Sequence, residues 1–190
     1  MATLDISTLA LAALYQTRNS AKQLPALFKN GDPVAWQTDD FMDIPFEPSA
    51  FGDPEASRVT LCFSPSPELC KTIQELDAWR VDTLIANPTS LLGISLTPDQ
   101  VRERYAFSLK TTEKGYTTVR AKMNRSGRYA LQLYDPSLDK RPHPETWRGS
   151  SICPRLVFKG LWIMGKDFGC LMECTHALVQ EGGCNDECPF

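Results

Sequence analysis

The chain has no long apolar run. Its longest near the start, Leu9 to Tyr15, is too short to span a bilayer. It follows Asp5 with no preceding Lys or Arg, so neither a membrane anchor nor a secretory leader is expected. Histidine is scarce: His143 and His176 are the two in 190 residues, and they fall in different settings without an evident carboxylate partner. There is no glycine-rich phosphate loop, no G-x-S-x-G, no H-E-x-x-H and no deaminase pattern. No internal repeat or low-complexity tract occurs either. Together these absences point away from an enzyme and from a bound cofactor.

Cysteine gives no framework. Seven is an odd number without regular spacing, and with no leader this favours a reducing, intracellular setting and mostly free thiols. Cys170-x3-Cys174 and Cys184-x3-Cys188 flank His176, and four thiolates can hold zinc. In an extended strand, however, residues four apart lie roughly 13 Å from each other. That is too far for two ligands of one ion, so burial as small apolar side chains is the expectation. The acids Asp39, Asp40 and Asp43 lie in a proline-rich stretch and read as a solvated loop.

The net charge of −3 argues against a uniformly basic nucleic-acid binder, but the charges are segregated. Residues 1–101 carry 6 Lys/Arg against 13 Asp/Glu, residues 102–166 carry 14 against 5, and residues 167–190 carry none against 5. A basic block between acidic flanks can attract a polyanion while the flanks compete for the same surface.

The residue pattern predicts a short amphipathic helix over residues 4–15 and a strand near Val34 to Gln37. Arg58 to Phe63 is a further strand. A capping Ser and a Pro before Glu68 start a long helix that Asn87-Pro88 ends. Thr97-Pro98-Asp99-Gln100 caps a second, carrying Val101, Tyr105 and Leu109. Two strands follow, Tyr116 to Met123 and Arg128 to Tyr134, then a polar loop over residues 136–152. Last comes a long hairpin hinged at Met164-Gly165-Lys166-Asp167. Because the helices come as one insertion, the expected class is mainly β: a five-stranded OB-like antiparallel barrel plus about three helices. The expected organisation is an N-terminal helical extension over 1–30, the barrel domain over 31–180 and an acidic ending over 181–190.

On the Tyr116–Tyr134 hairpin, alternation places Tyr116, Arg120 and Lys122 on an outer face, with Arg125 and Arg128 beside the turn and Tyr134 outward. Arg155 and Lys159 repeat the basic pattern on the next strand, and Trp147 with Arg148 are expected to close over the groove from the loop. Rings that stack bases beside cations that follow phosphates are what single-strand binding requires. The ending, with Asp186, Glu187 and Phe190, suits capture by a partner's basic, aromatic-lined pocket.

Several stretches then coincide with a known family. Pro45-Phe46-x-Pro48 precedes RVTLCF, and the helices ELCKTIQELDAW and TPDQVRERYAFSLK come next. YTTVRAKMN and RYALQLYDP follow, and the closing hairpin holds Gly160, Trp162, Phe168 and Gly169. From about Pro45 to Gln180 the chain resembles the OB-fold single-stranded-DNA-binding proteins of large eukaryotic DNA viruses, distantly similar to those of T7-like phages. The resemblance implies sequence-tolerant single-stranded DNA binding in replication, recombination or repair, without catalysis. It also implies a nuclear or viral replication compartment. The acidic ending is similar to tails that recruit replication proteins such as a polymerase, helicase or primase, and a homo-oligomer is compatible. The rivals are an RNA-binding regulator on the same barrel, a structural or virion protein, and a small zinc module.

Overall fold

In the computed structural model of the chain, residues 5–16, 22–28, 30–50 and 52–181 are described. The hairpin is where the sequence placed it. Strands β12 (Ser151–Met164) and β13 (Asp167–Gln180) are each 14 residues long and pair along their whole length across Gly165-Lys166. Strands of that length, roughly 46 Å at 3.3 Å per residue, outrun any other strand in the molecule and are covered in relay. On one edge of β12 lie, in turn, β3 (Lys22–Phe28), β4 (Val34–Gln37) and β5 (Met42–Asp43), all antiparallel. β1 (Leu9–Leu11) and β2 (Tyr15–Gln16) add to β3.

On the other side, β13 takes β7 (Tyr105–Ala106), β9 (Thr117–Asn124) and β10 (Gln132–Tyr134) as parallel neighbours. β6 (Arg58–Phe63) and β8 (Leu109–Thr111) flank β9, and β11 (Lys140–Arg141) flanks β10. The five-stranded antiparallel barrel expected from the sequence is therefore corrected to one mixed sheet, of thirteen strands among the described residues, still OB-like but open. The far side of β6 meets the segment before it through the Ser49–Thr60 bridge, and just past the strand Ser64 N donates to the Asp43 carbonyl at 2.9 Å.

The helices sit between β6 and β7. α1 (Pro67–Ala86) starts where Ser66 accepts from Leu69 N and Pro67 fills the first turn. α2 (Pro88–Leu92) ends on Gly93 in the left-handed region. α3 (Pro98–Arg104) opens with a capping box between Thr97 and Gln100. α1 bridges two cores. Its Leu69, Ile73 and Leu76 enter the main core with Phe63, Val119, Met123 and Leu156. Its Val81 and Leu84 enter a second with Leu24, Val101, Tyr105, Leu161 and Phe168. None of these helices is long and apolar enough to cross a membrane.

The helix expected over 4–15 is also corrected. A single 3-10 turn, Ile6–Thr8, capped by Asp5, leads straight into β1, and Leu9 is buried against the sheet. The run Leu9-Ala10-Leu11 has period two as well as helical spacing, and a neighbouring edge at β3 decides between them. The segment expected as a helical extension thus contributes β3, whose Leu24 is wholly buried.

Candidate nucleic-acid interface

Outward side chains of β9 and β13, the hairpin tip and the loop after α2 enclose an open cleft of about 1120 Å³. Lys22, Arg120, Lys122 and Lys166 bring four cations to it, Trp162 an indole, and Ile94 and Met164 two exposed apolar lips. Alternation sets this up. Val119, Ala121 and Met123 of β9 face the core, which turns Arg120 and Lys122 outward. Lys122 Nζ donates to Thr60 Oγ1 across the β6–β9 ladder at 2.8 Å. Burial, and then the charge of Arg58, hold its ammonium below the ordinary lysine range.

Two glycines shape the cleft wall. Trp162 pairs with Gly169, where a Cβ would lie 2.8 Å from Trp162 Cζ2 and 2.9 Å from the Ala106 carbonyl. The bare backbone therefore lets the indole lie down on β13. At Gly160, φ is +128°, and a Cβ would lie 1.9 Å from the Leu24 carbonyl, so only glycine lets β3 pair this closely. A register shift between Phe158 and Gly160 leaves Lys159 unpaired and turned to solvent.

The expected site residues divide. Arg120 and Lys122 line the cleft. Lys159 lines the smaller cavity next to it, with Leu171 common to both. Arg155 lies further along the hairpin, its guanidinium donating to Thr175 Oγ1 at 3.1 Å. Tyr116, Arg128 and Tyr134 fall outside the set lining the cleft. Tyr116 precedes β9, Arg128 lies over the Tyr129 ring at 5.6 Å, and Tyr134 is half-buried opposite Lys140.

Two placements depart from the expectation. The Arg125 guanidinium donates to the carbonyls of Pro48 (2.8 Å) and Pro54 (3.1 Å) and so ties down the 48–57 loop. Trp147 does not close over the groove. It is 5% exposed, because Glu47 accepts from the backbone N–H groups of Trp147 and Arg148 at 2.8 to 3.2 Å and draws that turn into the core. Asp186, Glu187 and Phe190 lie outside the described residues.

Arg58, Lys22, Lys166 and the stacking-competent Trp162 were missed as site residues. Arg58 was within reach, since Arg58, Thr60 and Cys62 alternate outward from the core-facing Val59, Leu61 and Phe63.

The same hairpin carries Cys170 and Cys174. Burial and the charge of Glu173 push the Cys174 thiol up to about 12, and burial raises Cys170 despite the nearby Arg80. Neutral thiols are poor metal ligands. Among the described residues, no three His, Cys, Asp or Glu side chains gather into a metal-holding group. Beneath the cleft, Asp77 accepts from Tyr105 Oη (2.6 Å), Ser108 N (2.8 Å) and Ser108 Oγ (2.9 Å). It also faces Arg80 at 3.5 Å. Arg80 is 1% exposed and lies over the Phe158 ring, with no hydrogen-bond partner for Nε and one Nη among the described residues.

No protein-family model and no curated protein matches the chain. Among solved structures, the single-stranded DNA-binding protein of bacteriophage Enc34, in complex with single-stranded DNA, is similar at a TM-score of 0.50. The alignment has 10% identity over 91% of this chain and 96% of that one. The single-stranded DNA-binding protein gp2.5 of bacteriophage T7 aligns at a TM-score of 0.46 and 15% identity, over 81% of this chain and 92% of that one. At such identities the likeness to the Enc34 protein is one of fold.

Proposed function

We propose that this chain binds single-stranded DNA with little regard to sequence, along the cleft between β9, the hairpin tip and the loop after α2. The observation that carries the proposal is the cleft itself: four cations and an indole on a surface open to solvent. The cations follow phosphates and carry no sequence information, while a ring stacks any base. The fold's likeness to a protein whose structure was solved in complex with single-stranded DNA supports the choice of ligand. In this reading the protein serves replication, recombination or repair without catalysing a reaction, and the segment holding Asp186, Glu187 and Phe190 contacts partner proteins.

The test is fluorescence anisotropy with a labelled oligo-dT across a salt series, on the wild type and on an Arg120→Gln/Lys122→Gln double variant. Affinity should fall steeply with salt. Two lost phosphate contacts should flatten the log–log slope by about 1.4 and weaken binding roughly 25-fold near 0.1 M salt, at about 0.7 of slope per contact. Equal slopes would move the site elsewhere. Tighter binding to oligo-U of the same length would assign the cleft to RNA.

A further inference from the structure

Beside the cleft lies a smaller cavity of about 350 Å³, where Arg58, Lys159 and Glu173 meet. The Glu173 side chain is 12% exposed. Its carboxylate accepts from Asn124 Nδ2 at 3.1 Å and lies 3.3 Å from Lys159 Nζ and 3.9 Å from the Arg58 guanidinium. Both cations are about half exposed, at 45% and 48%, yet both turn onto this one carboxylate. Lys122, the cleft cation, is the residue that pairs with Glu173 in the β9–β13 ladder. Three cations therefore gather on this part of the sheet, and the Lys122 ammonium, lowered first by burial, is lowered further by the charge of Arg58. Glu173 is the negative group set among them.

A carboxylate in that position acts in opposite directions on folding and on binding. It offsets the mutual repulsion of Arg58, Lys122 and Lys159, which favours the folded sheet. It also occupies the cations that a DNA phosphate leaving the cleft across Leu171 would meet next. We infer that Glu173 is an affinity-setting residue, an internal counter-anion that single-stranded DNA must displace to extend from the cleft onto Arg58 and Lys159. This inference rests on the cleft being the DNA site. The contact energies allow the exchange, because ion pairs to half-exposed cations hold weakly enough for a phosphate to replace them. The phosphate then gains charge-assisted bonds to the same donors.

Glu173→Gln tests it, since the amide keeps an acceptor for Asn124 and loses the charge. Oligo-dT affinity near 0.1 M salt should rise between about 5-fold and 25-fold, and the log–log slope should steepen by about 0.7 to 1.4, for one or two cations released. In that background, Arg58→Gln or Lys159→Gln should flatten the slope again, whereas either change alone in the wild type should alter it little. The melting temperature of Glu173→Gln should fall as affinity rises. Should that variant not fold, Glu173→Asp draws the carboxylate back by one methylene and should show a smaller change in the same direction.

A folded Glu173→Gln protein with unchanged or weaker affinity and an unchanged slope overturns the inference. If Arg120→Gln/Lys122→Gln still weakens binding and flattens the salt slope in that case, the cleft reading stands without it. If neither the wild type nor Glu173→Gln binds oligo-dT, both fall. Binding gained only in Glu173→Gln would support the counter-anion.

Discussion

Gly160 is the residue on which the seam between the N-terminal strands and the hairpin turns. Its φ of +128° lies where side chains are strained, and a Cβ there would stand 1.9 Å from the Leu24 carbonyl and 2.7 Å from Ala26 N and Pro25 Cα. All three are backbone atoms, so no rotamer change relieves the clash. β3 must back away from β12 by more than an ångström to reach ordinary contact. It would take with it the pairs Gly160–Pro25 and Leu161–Leu24 and the wholly buried Leu24. Backbone strain of about 1–3 kcal/mol and overpacking of about 1–3 kcal/mol together place Gly160→Ala roughly 2–6 kcal/mol below the wild type. Gly165→Ala is the control. There φ is +63° with no atom within 4 Å of the new methyl, so the left-handed backbone alone is penalised, by about 1–2 kcal/mol. Urea unfolding followed by circular dichroism measures both. If Gly160→Ala loses no more than Gly165→Ala, the close approach of β3 is not what fixes this glycine. Because Lys22 of β3 lines the cleft, the same variant should also bind oligo-dT less tightly.

Two further outcomes follow from charges placed by the fold. Asp77→Asn should destabilise the protein by about 3–5 kcal/mol, because it strips the counter-charge from a fully buried Arg80. An Asp77→Asn/Arg80→Met pair should lose less than the single change in urea unfolding, and a single-change loss below about 1 kcal/mol would show that Arg80 is compensated elsewhere. Burial, with Arg155 nearby, holds the His176 imidazole below its ordinary value, so the unfolded chain takes up this proton more readily than the folded one. Stability from this group is whole above the ordinary histidine range near 6.5 and declines as pH falls through it. His176→Gln should flatten that part of a melting-temperature profile, and an unaltered profile would count against it.

The hairpin was legible because its turn residues, β-branched arms and apolar content agree, and the helix caps because Ser66, Pro67, Thr97 and Pro98 act locally. What could not be read is what depends on distant partners. Leu9 to Leu11 satisfies two periods, and β3, residues away in the chain, settles the matter. The expected strand from Arg128 shrinks to Gln132–Tyr134, its preceding residues given over to a turn in which Asn124 Nδ2 donates to the Tyr129 carbonyl. The closed five-stranded barrel gives way to a larger open sheet because the two 14-residue strands each take several short partners along one edge. For the site, alternation placed Arg120 and Lys122 outward correctly, but it carries no information on Trp147, which Glu47 draws inward from a hundred residues away.

The most direct measurement is tryptophan fluorescence during an oligo-dT titration. The chain has four tryptophans. Trp36 and Trp147 are core residues, Trp79 is packed against the core on α1, and Trp162 lines the cleft. Binding in the cleft predicts quenching that saturates with the anisotropy change and vanishes in Trp162→Phe, while Trp162→Ala should weaken affinity by the 1–3 kcal/mol typical of one stacked base. Full quenching retained in Trp162→Phe, with affinity unchanged in Trp162→Ala, would contradict the account.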